Sequence, residues 1–473
     1  MLMFGQSQQS LNNLLFWISR KKWLIATFFV SIIIFYLPTP EGLKPEAHRT
    51  LIIVITALIL IISESIPIPA VAILILIMEV VLGVDSADGV ASSFMSDAVF
   101  FIMGSLMLAT AIVHQGLDKH LALLIVAVTG NKTWRISFGF VAVSAVMASF
   151  IGEHTVAAMM LPVALSLIKN AGIGIDKATK LSALLLFSIA YGCALGSIGT
   201  PSGGGRNVIM IGYLAEFGLG NISYLDWIKF AYPMLILEIP LAFTILWYTF
   251  TPEKRIMDSA VRKLKIQVMR EGALNNNQIL SIVIFVIVFF GWIFLSPKIG
   301  LGIVALSGVF LNLSFKLIEW NDIATRMNWG IVILFGSVIS LGIQMKETGA
   351  ALWLAESLLS YFQMFVNDMT IVRWGFSVVL CSILTNLLSN AATVAVLGPI
   401  VLDMGGDPII MGMATSVASA FAYLTVVASP TCMIIHSTGL VRSKDFFKAG
   451  WKLFFSSIVL LFLISFIYWP TLT

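Results

Sequence analysis

Charged residues are scarce in this chain of 473 residues. Asp, Glu, Lys and Arg together make up 11% of it, whereas a soluble globular protein averages about 25%. Hydrophobic residues make up 59%, and the mean hydropathy is +0.99. Apolar runs of about 18 residues or more, long enough to cross a bilayer, recur along the whole length. A single soluble core could not hide so much apolar surface, so lipid must be the solvent for much of it.

Cysteine is also sparse, and motifs of soluble enzymes are missing. The three cysteines, Cys193, Cys381 and Cys432, lie in apolar helical contexts without a CxxC pair or a His-rich tract. Neither a disulfide scaffold nor a metal site is predicted. No Ser/His/Asp set, Walker loop or GxGxxG stands at a sensible place, which argues against an enzyme. We predict no cofactor and no nucleic-acid partner.

The apolar runs predict an all-α polytopic membrane protein with eleven crossings and two re-entrant helical hairpins. The hairpins, at 135–170 and 371–402, are predicted to enter and leave on the same side of the membrane. The crossings are predicted at 23–37, 50–64, 69–84, 98–115, 181–217 (broken), 228–250, 278–295, 300–318, 329–345, 411–436 (broken) and 451–470.

The basic residues give this arrangement an orientation. With the N-terminus in the cytoplasm, twenty-one Lys and Arg residues fall inside, six fall outside, and Arg206 alone falls within the membrane. This asymmetry is the one that the positive-inside rule expects. If either hairpin were a crossing, every later loop would invert and the bias would disappear. We therefore predict a cytoplasmic N-terminus and an external C-terminus. The compact single-module chain favours a bacterial inner membrane as the setting.

The two halves of the chain repeat one plan. Phe101-Ile-Met-Gly104-Ser105 resembles Ile333-Leu-Phe-Gly336-Ser337, and a hairpin follows each. Five crossings per half is an odd number, so the second copy is inverted, as in transporters that work by alternating access. The predicted divisions are an N-terminal helix and loop (1–49), a first repeat (50–250), a cytoplasmic linker (251–277) and a second repeat (278–470).

Polar residues interrupt both hairpins and both broken crossings. Interrupted apolar segments in corresponding positions of two halves indicate the binding site of a secondary transporter, and the exposed N-termini of broken helices attract anions. The predicted substrate-binding residues are Gly152, Glu153, His154, Thr155, Thr200, Pro201, Gly205, Arg206, Asn207, Ser389, Asn390, Ala391, Ser429, Pro430 and Thr431.

Three charged or titratable residues stand out in this set: Glu153, His154 and Arg206. A charge at mid-bilayer costs at least about 2.5–3.5 kcal/mol, so it is usually paired and functional. One interpretation is a Glu153–Arg206 ion pair that holds the hairpin tip to the broken helix. The other is that His154 and Arg206 face an anionic substrate, because the planar fork of Arg suits carboxylates.

These motifs resemble the divalent anion–sodium symporter family, whose members carry di- and tricarboxylates and sulfate. The resemblance covers nearly all of residues 45–470, and includes Ser63-Glu-Ser-Ile-Pro-Ile-Pro69, both hairpins and Phe446-Phe-Lys-Ala-Gly450. It implies a homodimer, and an elevator motion of the part that bears the hairpins. It also implies a Ser-Asn-Thr at each hairpin tip, which grips substrate carboxylates and helps to form a sodium site.

This chain departs from the family's pattern at both tips. The second Ser-Asn-Thr is Ser389-Asn390-Ala391, and the resemblance leaves Thr385, Asn390 and Ala428 as a residual sodium site. The first is Gly152-Glu153-His154, and the Pro-Pro-Asn of its partner loop is Gly205-Arg206-Asn207.

The swap at the first site suggests a change in coupling. Two positive charges about 4 Å apart repel by roughly 4 kcal/mol at an effective dielectric near 20, so an Arg206 that points into the first sodium site replaces the ion. The sequence therefore predicts an exchanger of C4 and C5 dicarboxylates such as succinate, malate, fumarate and 2-oxoglutarate. Its dependence on sodium is predicted to be small, although a sodium requirement is left open.

Other functions stay open at this point. A sodium- or proton-coupled dicarboxylate symporter is one, with Glu153 or His154 as the titrating group. A carrier of sulfate or another inorganic anion would also use Arg206. An anion channel would differ by its conductance, and a membrane-embedded enzyme would need a nucleophile–base pair, for which no convincing partner is found.

Overall fold

The computed structural model describes residues 22–117, 129–174, 179–269 and 273–472. Within these ranges the chain forms helices joined by loops. The β-structure of the described residues is one isolated antiparallel bridge between Lys132 and Ile256. Eight of the described helices have at least 18 residues and are apolar enough to cross a membrane, and six shorter ones are also apolar. The chain is thus an all-α polytopic membrane protein.

The helices are numbered α1 to α22 in chain order. The first ten are α1 Lys22–Tyr36, α2 Pro45–Ser63, α3 Ile68–Val81, α4 Ala87–Phe94, α5 Asp97–His114, α6 Thr133–Ile151, α7 Glu153–Lys169, α8 Thr179–Gly196, α9 Gly205–Glu216 and α10 Tyr224–Thr249. The next are α11 Asp258–Met269, α12 Asn276–Phe294, α13 Ser296–Ile299, α14 Leu301–Ser314, α15 Trp320–Arg326, α16 Trp329–Glu347 and α17 Ala350–Gln363. The last are α18 Met369–Leu384, whose middle from Gly375 to Leu380 is a π-helix, then α19 Asn390–Asp403, α20 Pro408–Ala418, α21 Pro430–His436 and α22 Ser443–Ile467.

A helix occupies each predicted span, but several helices begin earlier than predicted. Crossing 50–64 begins at Pro45, which suits the first helical turn because it needs no N–H there. Crossing 451–470 begins at Ser443, where Asp445 accepts the backbone N–H of Arg442 at 3.0 Å. Hydropathy finds the apolar part of a helix and misses its charged first turns.

Some helices were not predicted at all, and α11 is one of them. It lies within the predicted linker 251–277, and its sequence is polar. The linker also contacts the first hairpin, because Lys254 donates to the carbonyl of Ala171 at the end of α7. The segment between the halves is therefore attached to the first half.

Helices of one half pack on helices of the other. α5 packs on α14, and α16 packs on α3. Closer to the polar breaks, α9 packs on α19, while α21 packs on α7. The second part of each broken crossing thus contacts the second arm of the other half's hairpin. This exchange brings the four breaks together.

Candidate functional site

Each hairpin consists of two helices with a break between them. Gly152 separates α6 from α7 at φ +91° and ψ 145°, a conformation that is essentially restricted to glycine. The second break runs from Thr385 to Ser389, and Ser389 Oγ accepts the N–H of Ala392 at 3.3 Å to cap α19. That the hairpins enter and leave on one side of a bilayer stays a prediction.

The loop of the first broken crossing, between α8 and α9, is held by side-chain hydrogen bonds. Ser149 of α6 donates to the carbonyl of Gly196 at 2.9 Å, and the hydroxyl of Thr200 donates to the Ser149 carbonyl. Asn207 donates from Nδ2 to the carbonyls of Ser197 and Thr200, both at 2.8 Å. Thr200 and Asn207, both predicted substrate ligands, satisfy the broken backbone here.

Two other predicted residues of this loop have roles in packing. Pro201 begins the short 3₁₀ turn that ends at Gly203. Gly205 begins α9 directly beneath the ring of Phe335, where an added Cβ would lie 2.0 Å from Cζ. The glycine therefore allows α9 to approach α16.

The loop of the second broken crossing depends on a residue that the sequence analysis missed. Asn386 donates from Nδ2 to the carbonyl of Phe421 at 2.9 Å, and its Oδ1 accepts the N–H of Leu424 at 2.8 Å. Its own carbonyl accepts from Thr425 Oγ1 at 3.1 Å. Its position could have indicated this role: Asn386 lies three residues before Ser389 at the second hairpin tip, just as Ser149 lies three residues before Gly152 at the first.

Ser429, Pro430 and Thr431 form the start of α21. Ser429 Oγ accepts the N–H of Cys432 at 3.3 Å and lies 2.7 Å from Thr431 Oγ1. Thr431 reaches the carbonyl of Ala190 in α8 at 3.4 Å. These residues cap a broken helix and join it to the other half.

Arg206 lies where the halves meet, and it is only 2% exposed. Its Nη2 donates to Ser197 Oγ at 2.6 Å. Its Nη1 donates to Oδ1 of Asn390 at 3.2 Å, in the amide orientation that gives each group of Asn390 a partner. Its Nε has no hydrogen-bond partner. A fixed positive charge thus joins the first broken crossing to the tip of the second hairpin, with one donor unused.

The other end of the Asn390 amide fills an oxygen-lined space. In the orientation that pairs Oδ1 with Arg206, the amide nitrogen lies 2.9 Å from Thr385 Oγ1, 3.2 Å from the Ser419 carbonyl and 3.3 Å from the Ala428 carbonyl. The structure therefore brings together Thr385, Asn390 and Ala428, the predicted residual sodium site. Oxygen ligands of this kind suit a hard cation, but only if the amide turns its Oδ1 inward. That turn would set its NH₂ group against Arg206 Nη1, donor against donor.

Glu153 is buried beside this centre without an ion pair. It is 6% exposed, and its Oε2 has no hydrogen-bond partner. It interacts electrostatically with Arg206 and with Cys432 of α21. Within the described ranges no Glu153–Arg206 contact is short enough for a salt bridge, because the guanidinium bonds Ser197 and Asn390 instead. The ion-pair interpretation is therefore not what the structure shows.

His154 and Thr155 face a cavity of about 210 Å³. Thr110 of α5, Arg326 and Asn328 also line this cavity, and Arg206 does not. Nδ1 of His154 is buried without a partner. Of the other predicted tip residues, Ala391 is half-buried against the core. The structure thus places His154 on a cavity apart from Arg206.

The comparisons with known proteins agree with this architecture. Residues 19–473 match the family model described as "Sodium:sulfate symporter transmembrane region". This chain belongs to the sodium:sulfate symporter family. It is a membrane transporter rather than an enzyme, and the resemblance noted in the sequence is confirmed.

Three relatives show how widely this symporter family has diverged. The chain is 26% identical over 464 residues to an uncharacterized transporter of Haemophilus influenzae, covering 93% of this chain and 96% of that one. It is 25% identical over 422 residues to the sodium-dependent high-affinity dicarboxylate transporter 3 of Caenorhabditis elegans, covering 78% and 74%. The sodium-dependent dicarboxylate transporter SdcS of Staphylococcus saprophyticus is 25% identical over 414 residues, covering 81% and 79%.

Solved structures share the fold of this symporter-family chain. Neisseria gonorrhoeae MtrF, described as one of a class of antimetabolite efflux pumps, has a TM-score of 0.55 at 10% identity, covering 94% of both chains. The YdaH transporter of Alcanivorax borkumensis has a TM-score of 0.52 at 12% identity, covering 78% of this chain and 85% of that one. At these identities the likeness concerns the fold alone.

Proposed function

We propose that this transporter exchanges small dicarboxylates of four or five carbons across the membrane, with little dependence on sodium. The substrate class is supported by the relatives named as dicarboxylate transporters. The exchange mode rests on one observation, the buried Arg206 bonded to Asn390 at the meeting point of the halves. No cofactor is part of the proposal.

A fixed guanidinium offsets substrate charge that a coupling ion would otherwise offset. Arg206 is held by Ser197 and Asn390, and its Nε remains free to donate. A dicarboxylate at this place gains a charge-assisted hydrogen bond without sodium. Without a coupling ion, the carrier can change conformation only when an anion is bound. It must therefore bind a second anion to return, and the net result is exchange.

The Asn390 amide supports the small role of sodium. In the orientation that pairs its Oδ1 with Arg206, its nitrogen donates to the oxygen atoms of Thr385, Ser419 and Ala428. A sodium ion there would have to turn the amide and place its NH₂ group next to Arg206. Because two N–H donors would then face each other, the ion binds at a disadvantage.

The proposal includes a mode of movement and an assembly. The two hairpins and the broken crossings, α6 to α9 and α18 to α21, move together against the remaining helices in an elevator motion. The transporter works as a homodimer in a bacterial inner membrane, with its N-terminus in the cytoplasm. The large apolar side chains exposed on α12, including Ile287 and Phe290, suit contact with lipid or with a second copy.

Counterflow in proteoliposomes tests the proposal. Vesicles are loaded with unlabelled succinate or 2-oxoglutarate, and uptake of the labelled compound is followed with external sodium or with choline. We expect the two rates to agree within about twofold, and uptake into empty vesicles to be at least about tenfold slower.

Other outcomes separate the competing functions. Strict dependence on sodium would overturn the exchange mechanism. Net uptake into empty vesicles, driven by an imposed pH gradient, would favour proton symport. A sulfate arm is included because the family description names sulfate; if sulfate competes and dicarboxylates do not, the substrate class is inorganic.

A further inference from the structure

An ion pair joins the last turn of α16 to the second hairpin. Lys346 Nζ lies 2.6 Å from Oδ1 of Asp403, the last residue of α19. The carboxylate side chain is 7% exposed and that of Lys346 is 34% exposed. Oδ2 of Asp403 has no hydrogen-bond partner among the described residues. Because an unpaired carboxylate in that position would be costly, Asp403 depends on Lys346.

Lys346 also contacts the second part of the first broken crossing. Its ammonium group lies over the ring of Phe217, 5.3 Å from the centroid, where α9 ends. Phe217 in turn stacks on Tyr213 of α9, with ring centroids 5.5 Å apart and ring planes inclined by 14°. One cation therefore contacts α19 through an ion pair and the end of α9 through an aromatic face.

Tyr213 contacts the same two helices through its ring and its hydroxyl group. The hydroxyl lies 2.8 Å from the carbonyl oxygen of Val338 in α16 and 3.1 Å from that of Ala395 in α19, and can donate to either. The ring packs between two glycines. A Cβ at Gly342 of α16 would overlap with it, and one at Gly398 of α19 would lie 2.9 Å from it. The position of α9 against α16 and α19 is thus closely defined.

The rest of the contact between α16 and α19 is apolar. A small cavity of about 20 Å³ lies beside it, and apolar side chains such as Leu341 of α16 and Val396 of α19 line this cavity. Apolar contacts are not directional, so one helix can shift along the other without breaking a specific bond. Among the described residues, Lys346–Asp403 is the ion pair that joins α16 to the hairpins and broken crossings.

These contacts lie at the opposite end of α16 from the cavity that His154 faces. Asn328 and Ile331, which line that cavity, stand at the start of α16. Lys346 follows Ile331 by fifteen residues, or about 22 Å of helix. The molecule is therefore open beside one end of α16 and closed beside the other, as alternating access requires of a carrier in one of its two states.

We propose that four side chains form a latch that keeps this end of the transporter closed and opens in every transport cycle: Lys346, Asp403, Phe217 and Tyr213. The inference rests on the proposed function, in which α9 and α19 move with the hairpins while α16 does not. The stacking of Phe217 on Tyr213 lies within the moving group and is kept. The contacts of Lys346 with Asp403 and Phe217, and of Tyr213 with Val338, have to break.

A reversible cross-link tests whether the latch has to open. Lys346→Cys and Asp403→Cys are introduced together, and a short bifunctional thiosulfonate reagent joins them in proteoliposomes. The three native cysteines are completely buried and should not compete for it. We expect succinate counterflow before linking, a loss of at least about tenfold after linking, and recovery when the link is reduced.

The matched control joins two residues that do not move apart. Arg49 of α2 donates from Nη1 to the carbonyl of Leu82, just after α3, at 3.0 Å. A long cationic side chain thus spans this gap too, but α2 and α3 both belong to the group that does not move. Arg49→Cys with Leu82→Cys, linked by the same reagent, should exchange within about twofold of its unlinked rate.

Labelling of a buried position gives a second measurement. Ala395→Cys lies in the closed contact, where the native residue is 6% exposed. Lys346→Gln leaves the buried carboxylate of Asp403 unpaired and makes the closed state less stable. We expect it to speed the reaction of Ala395→Cys with an impermeant maleimide by at least about fivefold. Adding Asp403→Asn removes the unpaired charge and should slow the reaction again.

The outcomes separate the latch from the proposed function. If the linked Lys346→Cys and Asp403→Cys pair exchanges as fast as the unlinked pair, the latch does not open in the cycle and is wrong, while exchange stands. Equal loss in the linked control also overturns the latch. So does equal labelling of Ala395→Cys with and without Lys346→Gln. If the unlinked proteins exchange no dicarboxylate, the proposed function fails, and the labelling rates decide on the latch by themselves.

Discussion

Arg206 joins the two halves of this transporter through one side chain. Its guanidinium reaches Ser197 in its own half and Asn390 in the other, so a single residue connects both repeats and carries the positive charge. Lysine has the same charge but no planar fork, and it could not reach both partners in this way. The position is therefore specific for arginine.

Replacement of Arg206 tests its role in binding. We expect Arg206→Gln to weaken succinate binding by about 10- to 100-fold, which corresponds to the loss of a hydrogen bond to a charged group. Arg206→Lys should also bind more weakly than the wild type. Affinity is measured by competition in the counterflow assay. The control is Arg442→Gln, since that side chain is 69% exposed and bonds Asp445 of its own helix turn at 3.5 Å; equal affinities for Arg206→Gln and the control would refute the role.

At the scale of residues, the sequence could indicate which polar side chains meet, but not which of them bond to each other. Arg206 and Asn390 could be chosen from the sequence, because polar groups in apolar runs are rare and repeat-related. The partners of Arg206 could not, because Ser197 and Asn390 compete with Glu153 for the guanidinium only once the loops are packed. Asn386 was missed for the same reason: its hydrogen bonds reach residues 421–425, on a different crossing.

At the scale of elements, the breaks depend on unusually close packing of helices. α6 and α8 approach so closely at Gly196 that a Cβ there would lie 2.0 Å from the carbonyl oxygen of Ala145. Ser149 donates to the Gly196 carbonyl at the same place. The first broken crossing is therefore fixed against the first arm of its hairpin just before its loop begins.

A single methyl group should break this contact. We expect Gly196→Ala to prevent folding or to lower the apparent Tm by more than about 5 °C, because the obstructing atoms belong to backbone. Thermal unfolding and size-exclusion profiles in detergent provide the measurement. Gly375→Ala is the matched control, since that helical glycine has φ −56° and open space where a Cβ would be added. If both variants have the same apparent Tm as the wild type, the close approach of α6 and α8 does not contribute to stability.

Glu253 ties the linker to the start of α8. Its carboxylate accepts the N–H groups of Lys180 at 2.8 Å and Leu181 at 2.9 Å. Partial burial raises the pKa of this carboxyl, but these N–H donors outweigh it and hold the pKa below its ordinary value. A lowered pKa in the folded state gives stability that is present above the ordinary value and is lost as the pH falls through the folded one.

Acid should therefore remove the contribution of Glu253. At pH 7 we expect Glu253→Gln to lower the apparent Tm by no more than about 3 °C, because the carboxylate is exposed. The difference from the wild type should shrink below about pH 4, where the wild-type group also becomes neutral. Glu216→Gln, at the exposed end of α9, serves as control. A difference that grows with acidity would contradict the assignment.

The elements themselves could be predicted in part. Each apolar run became a helix, and the hairpin breaks fell at the predicted polar residues because Gly152 and Ser389 carry local signals for turns and caps. Short polar helices such as α11 and α15 left no hydropathy signal. The π-helix in α18 has no counterpart in any pattern of apolar residues, since it alters hydrogen bonding and not composition.

At the scale of the whole molecule, the two hairpin tips differ in how open their surroundings are. His154 lines a cavity with Arg326, a residue predicted to lie on the cytoplasmic side, while Asn390 is buried. The three native cysteines are completely buried. The native cysteines should therefore not react with a thiol reagent, so that any labelling reports on an introduced cysteine.

Labelling with an impermeant maleimide should report this difference. We expect His154→Cys to react from the cytoplasmic side and Asn390→Cys to stay unreactive in the absence of substrate. The wild type, with Cys193, Cys381 and Cys432 inaccessible, is the control. Inside-out and right-side-out vesicles give the measurement. Reaction of His154→Cys from outside alone would reverse the predicted orientation.

The exchanged contacts of α9 with α19 and of α21 with α7 have a consequence for each half on its own. A single half would leave the second part of its broken crossing without the helix on which it packs. The polar turns at the break would then be exposed to the hydrocarbon of the bilayer. We therefore expect that neither half, expressed alone, would form a stable monomer, and that each would need a second copy to cover those turns.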